Sequence, residues 1–256
     1  MTNMHRLFAV AVALVLALVG CTVSPATPDP QEARALAPTG SLRIGLYPGT
    51  PTSIIPGAAA DDAKGVAHDV ARHFAGRLGI AFEPVVFPRN ADVLAAGKSG
   101  RVDLVFTNAT PARAKDMDFS PTALEIELGY LVAPGSRLAG IADIDRAGVR
   151  VGVSQGSTSQ SVLSRDLKNA VVVATPSLKE AAEMLSGGKL DAFATNKATL
   201  FQMGDGLPGS RVLDGRWGIE RFAFGIPKGR ESALPLLARL VEEAKAEGVV
   251  NRAADR

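Results

Sequence analysis

Two stretches of the chain repeat one residue pattern, and this repeat constrains the fold more than any other feature. Residues 102–108, VDLVFTN, and residues 190–196, LDAFATN, are both apolar runs between an aspartate and a Thr-Asn pair. Each follows an amphipathic helical segment and a Gly/Lys turn, with another strand and helix upstream. The repeat therefore predicts two similar α/β halves.

The rest of the chain after Gly40 alternates short β-branched runs with helical segments, which is typical of α/β architecture. Strands are predicted at 42–46, 81–86, 102–106, 129–133, 149–153, 171–174, 190–194 and 221–226. Helices are predicted at 66–78, 92–98, 158–167, 178–185 and 233–247.

The repeated strands end in Thr107-Asn108 and Thr195-Asn196. Ligands of open parallel sheets bind beyond the carboxyl ends of the strands, so we expect the two pairs to face each other across a cleft. The alternative is that each asparagine only ends its strand in a turn.

Arg113 stands where helix electrostatics disfavour a cation. Thr110 can cap a helix and Pro111 suits its first position, which places Arg113 in the first turn. A cation there costs about 0.3–1 kcal/mol unless an anion joins it. Because broken local rules tend to mark functional sites, Arg113 is a candidate anion-binding residue. A solvated surface arginine is the alternative.

A second anion-binding candidate lies in residues 149–163, VRVGVSQGSTSQSVL, where a strand runs through Gly156 into Ser157 and Thr158 at a helix start. Free N–H groups and hydroxyls at such a start can hold a carboxylate. Ordinary helix capping by Ser157 is the alternative. Arg113 and this helix start could grip one anion from both sides of the cleft.

The first forty residues have the composition of a targeting signal followed by a tether. Arg6 precedes thirteen apolar residues, 7–19, which are too few to span a bilayer because a membrane helix needs about 20 residues. Residues 1–20 are therefore predicted to be a cleaved signal peptide. Residues 21–40, with four prolines, are predicted to be a flexible tether.

Cys21 is the only cysteine of the chain, so no intrachain disulfide can form. Residues 18–21, LVGC, resemble a bacterial lipobox, in which the cysteine is lipid-modified and becomes the N-terminus after cleavage. The resemblance implies a lipid anchor that holds the protein in the cell envelope, on the extracytoplasmic side of a membrane, either periplasmic or at the cell surface. A buried structural thiol is the alternative.

Several function classes are disfavoured by the sequence. The net charge of +2 without a Lys/Arg cluster, and the aromatic content of 5%, argue against nucleic-acid binding. Residues 152–156, GVSQG, fit a nucleophile elbow, but such a hydrolase needs a later histidine and all three histidines precede the motif. His68 and His73 lie about 140° apart around a helix, so no metal site is expected. We expect no cofactor.

Four motifs, in their order and spacing, resemble family 3 of the bacterial extracellular solute-binding proteins, which are the amino-acid-binding components of ABC importers. They are TPAR at 110–113, DFSP at 118–121, GVSQGSTS at 152–159 and FGIPKG at 224–229. LRIGLYP from residue 42 and GVAHDVARHFAGRLG from residue 65 are similar to the start of the family, so the resemblance covers residues 41 to about 250.

The resemblance implies an α/β fold like that of the periplasmic binding proteins, with two similar lobes joined by two hinge strands near 130–133 and 222–226. Lobe 1 would comprise 41–130 and 224–256, and lobe 2 would comprise 131–223. It also implies a monomeric binding protein rather than an enzyme, which closes around an amino acid or a related small carboxylate and presents the closed form to an ABC permease in the membrane.

The same resemblance implies roles for particular residues. Arg113 would pair with a ligand carboxylate, Asn108 and Thr110 would lie on the lobe 1 wall, and Tyr47 would stand beside the ligand. Ser157 and Thr158 would offer N–H groups from lobe 2, and Asn196 would join them when the lobes close.

The sequence departs from the family at Asn196, where members usually have an aspartate that binds the α-ammonium group. A neutral amide cannot neutralise a desolvated ammonium group. Residues 48–57 also lack the aromatics that members often stack on the ligand. An α-amino acid, a derivative with a masked amine and a small carboxylate all remain open. Glu125 or Glu127 could supply the missing charge, but their alternation along a strand favours solvent exposure.

An enzyme on the same fold is the main alternative, because periplasmic cyclohexadienyl dehydratases resemble these binding proteins. Such an enzyme needs an acid of raised pKa in the cleft. The sequence predicts no Asp, Glu or His there, since Asn108 and Asn196 occupy the strand ends.

Overall fold

A computed structural model of the protein describes residues 29–59 and 62–255. The expected signal peptide and Cys21 lie outside the described residues. Within the described ranges, no helix has both the length and the apolar character needed to cross a membrane.

The strands and helices expected from the alternation of apolar and helical segments are all present, and the exception is the helix expected to begin at Thr110. The described strands are β1 Ser41–Leu46, β2 Ala81–Val86, β3 Leu104–Asn108, β4 Met117–Phe119, β5 Leu124–Val132, β6 Arg150–Ser154, β7 Val171–Thr175, β8 Ala192–Asn196, β9 Arg211–Val212 and β10 Gly218–Pro227. The described helices are α1 Pro30–Leu36, α2 Val66–Leu78, α3 Asn90–Lys98, α4 Thr158–Asp166, α5 Leu178–Ser186, α6 Lys197–Asp205, α7 Leu234–Ala246 and α8 Val249–Ala254. The helices α1, α6 and α8 and the short strands β4 and β9 were not expected.

The strands form one mixed sheet in the order β2-β1-β3-β10-β5-β8-β6-β7. At each end, three parallel strands with the order second, first, third are followed by one antiparallel strand. We call β2-β1-β3-β10 with α2, α3, α7 and α8 the first half, and β5-β8-β6-β7 with α4, α5 and α6 the second half. The two halves thus repeat one topology, as the sequence repeat predicts.

Strands β5 and β10 connect the halves. They pair with each other from Leu128↔Gly218 to Leu124↔Phe222. Beyond this segment, β5 pairs with β8 and β10 pairs with β3. The crossing between the halves therefore lies at 124–128 and 218–222, N-terminal to the hinge positions expected near 130–133 and 222–226, because those positions are already held by pairing within one half.

The aspartates of the sequence repeat hold equivalent arginine forks. Asp103 Oδ2 accepts from Arg43 N and Nε at 3.0 and 2.9 Å, and its Oδ1 accepts from Nη2 at 2.7 Å. Asp191 accepts from the same three atoms of Arg150 at 2.7, 2.9 and 2.9 Å. Each fork ties the first strand of a half to the segment that leads into its third strand, so the repeat extends to the positions of individual atoms.

Each half has an apolar core of its own. In the first half, α2 turns one apolar face onto the sheet, and Phe74 meets Phe224 edge-on at 5.0 Å between ring centroids. In the second half, Tyr130, Val151 and Ala194 belong to one buried cluster on one side of the sheet. Burial of such clusters is the main favourable contribution to folding of each half.

The tether expected at 21–40 includes an ordered part. Pro30–Leu36 forms α1, with Asp29 Oδ1 accepting from Gln31 N at 2.7 Å as its cap. Leu36 is fully buried in the core of the first half, and Arg239 of α7 forms an ion pair with Glu32 at 2.6 Å. Prolines outside a hydrophobic pattern indicated a linker, but one apolar contact and a helix cap fix the segment.

Candidate functional site

A small cavity of about 30 Å³ lies between the halves, where the carboxyl ends of β1, β3, β6 and β8 meet. This is room for one or two water molecules, so the two halves are closed on each other. Its lining comprises Tyr47, Asn90, Phe106, Thr107, Arg113, Ser154, Ser157, Thr158, Ser159, Thr195, Asn196, Glu220 and Phe222.

Most of the site residues expected from the sequence lie at this cavity: Tyr47, Arg113, Ser157, Thr158 and Asn196 are in its lining. Asn108 lies beside them, and its Nδ2 donates to Thr158 Oγ1 at 3.3 Å. Thr110 lies farther out, in a groove of about 510 Å³ that it shares with Arg113. On the other side, a groove of about 500 Å³ is in contact with the cavity through Tyr47, Asn90 and Ser154.

The prediction of a helix that begins at Thr110 is wrong, because the structure has only one short 3₁₀ turn there, Arg113–Lys115. The expected cap bond is present, since Arg113 N donates to Thr110 Oγ1 at 3.3 Å. Met117 starts the next strand within two residues of the turn, which leaves no room for an α-helix. The argument from a long helix dipole therefore does not apply to Arg113.

The hydrogen-bond partners of the Arg113 guanidinium do not neutralise its positive charge. Nη1 donates to Thr107 Oγ1 at 2.7 Å and to the Asn108 carbonyl at 3.1 Å, and Nη2 reaches the Gly156 carbonyl of the second half at 3.3 Å. All three partners are neutral. Burial lowers the pKa of Arg113, while the charge of Glu220 and the hydroxyl of Tyr47 act to raise it. A desolvated cation among neutral acceptors is a strong site for an anionic ligand.

The start of α4 faces Arg113 from the second half. Ser157 Oγ caps the helix by accepting from Gln160 N at 3.0 Å, and Ser157 N donates to the Ser154 carbonyl at 3.1 Å. Gly156 has a φ of 73°, which favours glycine, and its N–H donates to Gln160 Oε1 at 2.7 Å. In this closed form, the Ser157 N–H that was expected to face a ligand is used within the turn.

Both repeat asparagines make structural hydrogen bonds. Asn196 Oδ1 accepts from Thr199 N and Oγ1 at 3.0 Å each, as the cap of α6. Asn108 Oδ1 accepts from Arg221 N at 3.0 Å, while its amide reaches Thr158. In this conformation Asn196 ends β8 and caps α6 instead of ending the strand in a turn, and its side chain also borders the cavity.

An acidic side chain that the sequence analysis did not anticipate lies in the cavity. Glu220 of β10 is only 7% exposed and lines the space beside Arg113. Burial raises its pKa to about 7, while the charge of Arg113 and a hydrogen bond to Thr158 act against that rise. The expectation that no carboxyl group occupies the cleft is therefore wrong. The residue alternation along β10 was the available signal, because Glu220 shares a strand face with Phe222.

Tyr47 completes the polar part of the lining. Burial of its hydroxyl and the nearby charge of Glu220 raise its pKa to about 12, so the hydroxyl stays protonated at neutral pH.

The two carboxylates considered as substitutes for a missing charge point elsewhere. Glu125 pairs with the exposed Arg221 at 2.8 Å, and Glu127 pairs with Lys197 and Arg216 at 2.7 Å each. Both lie on the strand face opposite to Glu220, since Glu220 stands across from Ile126. Among the described residues, no group of three or more His, Cys, Asp or Glu side chains is arranged to hold a metal ion.

Comparison with known proteins agrees with this geometry. Residues 42–256 match the model of the bacterial extracellular solute-binding proteins, family 3. The ABC transporter glutamine-binding protein GlnH of Bacillus subtilis is 24% identical over 196 residues, which are 76% of this chain and 69% of that protein. A glutamine-binding protein of Geobacillus stearothermophilus is 28% identical over 132 residues, about half of each chain.

Solved structures share the fold over most of its length. An ancestral arginine-binding protein bound to glutamine is 26% identical and superposes with a TM-score of 0.73, covering 84% of this chain and 96% of that one. The named relatives are binding proteins, which supports the interpretation of a solute-binding protein over that of a dehydratase.

Proposed function

The chain belongs to family 3 of the bacterial extracellular solute-binding proteins, and we propose that it captures an amino acid or a related small carboxylate between its two halves for an ABC importer. The observation that carries this proposal is Arg113, a desolvated cation whose partners are a hydroxyl and two carbonyl oxygens. A ligand carboxylate would replace those neutral acceptors with a charge-assisted, bidentate pair.

Capture would proceed by closure of two lobes, and the expected lobe bounds of 41–130 with 224–256 and 131–223 lie within a few residues of the strand crossings at 124–128 and 218–222. The cavity of about 30 Å³ is too small for an amino acid, so the halves must separate to admit one. Hinge movement would occur in β5 and β10, which alone among the described strands pair across the halves. Arg113 and Thr107 would meet the ligand first, and Ser157, Thr158 and Asn196 would be added on closure, as water leaves.

Binding is proposed rather than catalysis. The relatives named above are binding proteins for glutamine or arginine. Their ligands suggest that the ligand of this chain is a polar amino acid. The closed protein would dock as a monomer on a membrane permease. Cys21 would carry a lipid that keeps the protein at the extracytoplasmic face of a membrane.

A thermal-shift screen of amino acids, their derivatives and small carboxylates tests this function, because a ligand that binds only the folded state raises its melting temperature with concentration. Calorimetry with the ligand found should then give no binding to Arg113→Ala and unchanged binding to Arg239→Ala, whose arginine is paired with Glu32 far from the cleft. Circular dichroism checks that both variants are folded. Unchanged affinity of Arg113→Ala contradicts the proposal, as does turnover of an added prephenate-like substrate.

A further inference from the structure

The cavity between the halves contains one cation and one carboxylate in its lining, Arg113 and Glu220. The two side chains feel each other's charge, yet they form no direct ion pair among the described contacts. The Thr158 side chain of the second half lies beside the carboxylate, and the guanidinium donates to the Gly156 carbonyl of the same half. Opposite charges therefore line one small space, and both touch the half that closes over it.

A buried carboxylate without a direct cationic partner is costly, and so is a desolvated guanidinium with neutral partners. A ligand with one charge would compensate one of the two groups and separate the other from its distant counter-charge. A zwitterion would compensate both. The arrangement thus favours a ligand that carries an ammonium group close to a carboxylate.

We propose that Glu220 binds the ammonium group of the ligand, so that this site takes α-amino acids as zwitterions even though Asn196 offers no charge. The inference rests on the proposed function, because it needs Arg113 to hold the ligand carboxylate. Position on β10 makes the assignment specific: Glu220 faces the cavity with Phe222, whereas Glu125 and Glu127 lie on the opposite strand face with cations of their own.

Proton release on ligand binding provides an independent signature of this role. The charged and titratable groups that face Glu220 are Arg113 and Tyr47 of the first half. The second half contributes only uncharged neighbours, the Thr158 hydroxyl of α4 and Ile126 of β5. Burial raises the pKa of Glu220 to about 7 in the free protein. A bound ammonium group stabilises the ionised form, so binding should release a proton at pH 6, and affinity should rise about tenfold from pH 6 to pH 8.

The test compares L-alanine, L-glutamine and L-arginine with propanoate, glutaramate and 5-guanidinopentanoate, which lack the α-amino group. For the wild-type protein, we expect at least one amino acid to bind more tightly than its deamino partner. Glu220→Gln should lower the affinity for that amino acid about 10- to 100-fold, and it should leave unchanged or raise the affinity for the deamino analogue. It should also abolish proton release, measured by calorimetry in two buffers of different ionisation enthalpy. Glu125→Gln, a carboxylate change on the opposite strand face, should behave like the wild type.

Three results overturn the proposal: equal binding of amino acids and deamino acids to the wild type, binding of none of the amino acids, or an equal effect of Glu220→Gln on both probe classes. The last would make Glu220 a counter-charge for Arg113 alone. Failure of the proposed function looks different. If deamino acids bind through Arg113 without any gain from the amino group, carboxylate capture stands and the role of Glu220 falls. If Arg113→Ala leaves the binding of all probes unchanged, the proposed function itself falls.

Discussion

Thr50 Oγ1 lies 2.6 Å from Thr199 Oγ1, so a hydroxyl of the first half is hydrogen-bonded to a hydroxyl of the second half across the closed cleft. Thr199 also hydrogen-bonds Asn196, whose side chain borders the cavity. The contact is buried on both sides, which makes it stronger than the same bond in water. Closure is thus linked directly to a residue of the cavity wall.

Thr50→Val should favour the open form. Valine keeps the shape of threonine but removes the bond across the cleft, and a lost hydrogen bond of this kind is worth about 0.5–1.5 kcal/mol. We expect the affinity for the ligand found in the screen to fall roughly two- to tenfold. Small-angle scattering of the free protein should show a larger radius of gyration. Thr39→Val, at an exposed threonine of the same half, should change neither quantity.

Loss of Asp103 should cost more stability than loss of Asp191. Asp103 is fully buried and also accepts from Arg230 Nη1 at 2.7 Å, so Asp103→Ala leaves two arginines without their partner, at about 3–5 kcal/mol. Asp191 has a side chain that is 33% exposed, and Asp191→Ala should cost about 1–2 kcal/mol. Urea unfolding measures both. Equal losses would show that the two forks do not differ as their burial predicts.

The equivalent strand glycines of the two halves should differ in their tolerance of alanine. A Cβ on Gly152 would stand 2.5 Å from Leu190 Cδ1 and 2.8 Å from Phe193 Cδ2. On Gly45, the nearest atoms would be the methyl groups of Val93 and Val102 at 3.1 and 3.3 Å. We expect Gly152→Ala to lower the free energy of unfolding by about 1–3 kcal/mol and Gly45→Ala by less. A larger loss at Gly45 in urea titrations would contradict this order.

Glu220 should make the protein less stable as pH rises. Its pKa is about 7 in the folded state against an ordinary value of 4.5, so the folded state binds more protons than the unfolded state between these values. Ionisation of Glu220 leaves the free energy of unfolding unchanged below pH 4.5, lowers it increasingly between pH 4.5 and 7, and lowers it by about 3 kcal/mol above pH 7. Glu220→Gln should therefore gain stability over the wild type at pH 8 and gain almost none at pH 4. A constant difference across this range in chemical denaturation would contradict the buried carboxylate.

Cys21→Ser should move the protein from the membrane fraction to the soluble fraction, because serine cannot accept the thioether-linked lipid. Thr22→Ser leaves the thiol in place and should keep the membrane association. Fractionation followed by immunoblotting gives the distribution, and retention of Cys21→Ser with the membrane would argue against lipidation.

The fold was predictable from the sequence because its signals are local and are repeated. Alternation of apolar runs located the strands, and the helix at 66–78 was predicted with the bounds it has in the structure. The sequence analysis missed several short elements whose formation depends on tertiary contacts. Pro30–Leu36 has a local start signal, since Asp29 caps it and Pro30 opens it, but its docking depends on Leu36, which enters a core built by residues far along the chain.

The cavity residues at the strand ends could be predicted from the sequence, but the cavity residue on a strand that crosses between the halves, Glu220, could not. Local electrostatics in the sequence indicated Arg113 and the start of α4 as candidates, although the helix predicted at Thr110 is a single 3₁₀ turn. Glu220 escaped notice because its strand reads GIERFAFGIP, in which a Glu-Arg pair resembles an ordinary solvated strand start. Its side chain is buried in a space that residues of both halves line, with Thr158 of the second half beside it. These neighbours are distant in the sequence, so no local pattern reveals the raised pKa of Glu220.

The matching forks of Arg43–Asp103 and Arg150–Asp191 are what duplication of one ancestral half-unit would leave. The two halves share the atoms that join their first and third strands, whereas the equivalent residues at the end of the first strand differ, with Tyr47 in one half and Ser154 in the other, and both line the cavity. Divergence of one copy can therefore alter recognition without disturbing the framework of the other. A protein built this way can acquire a new ligand by mutating the strand ends of a single copy.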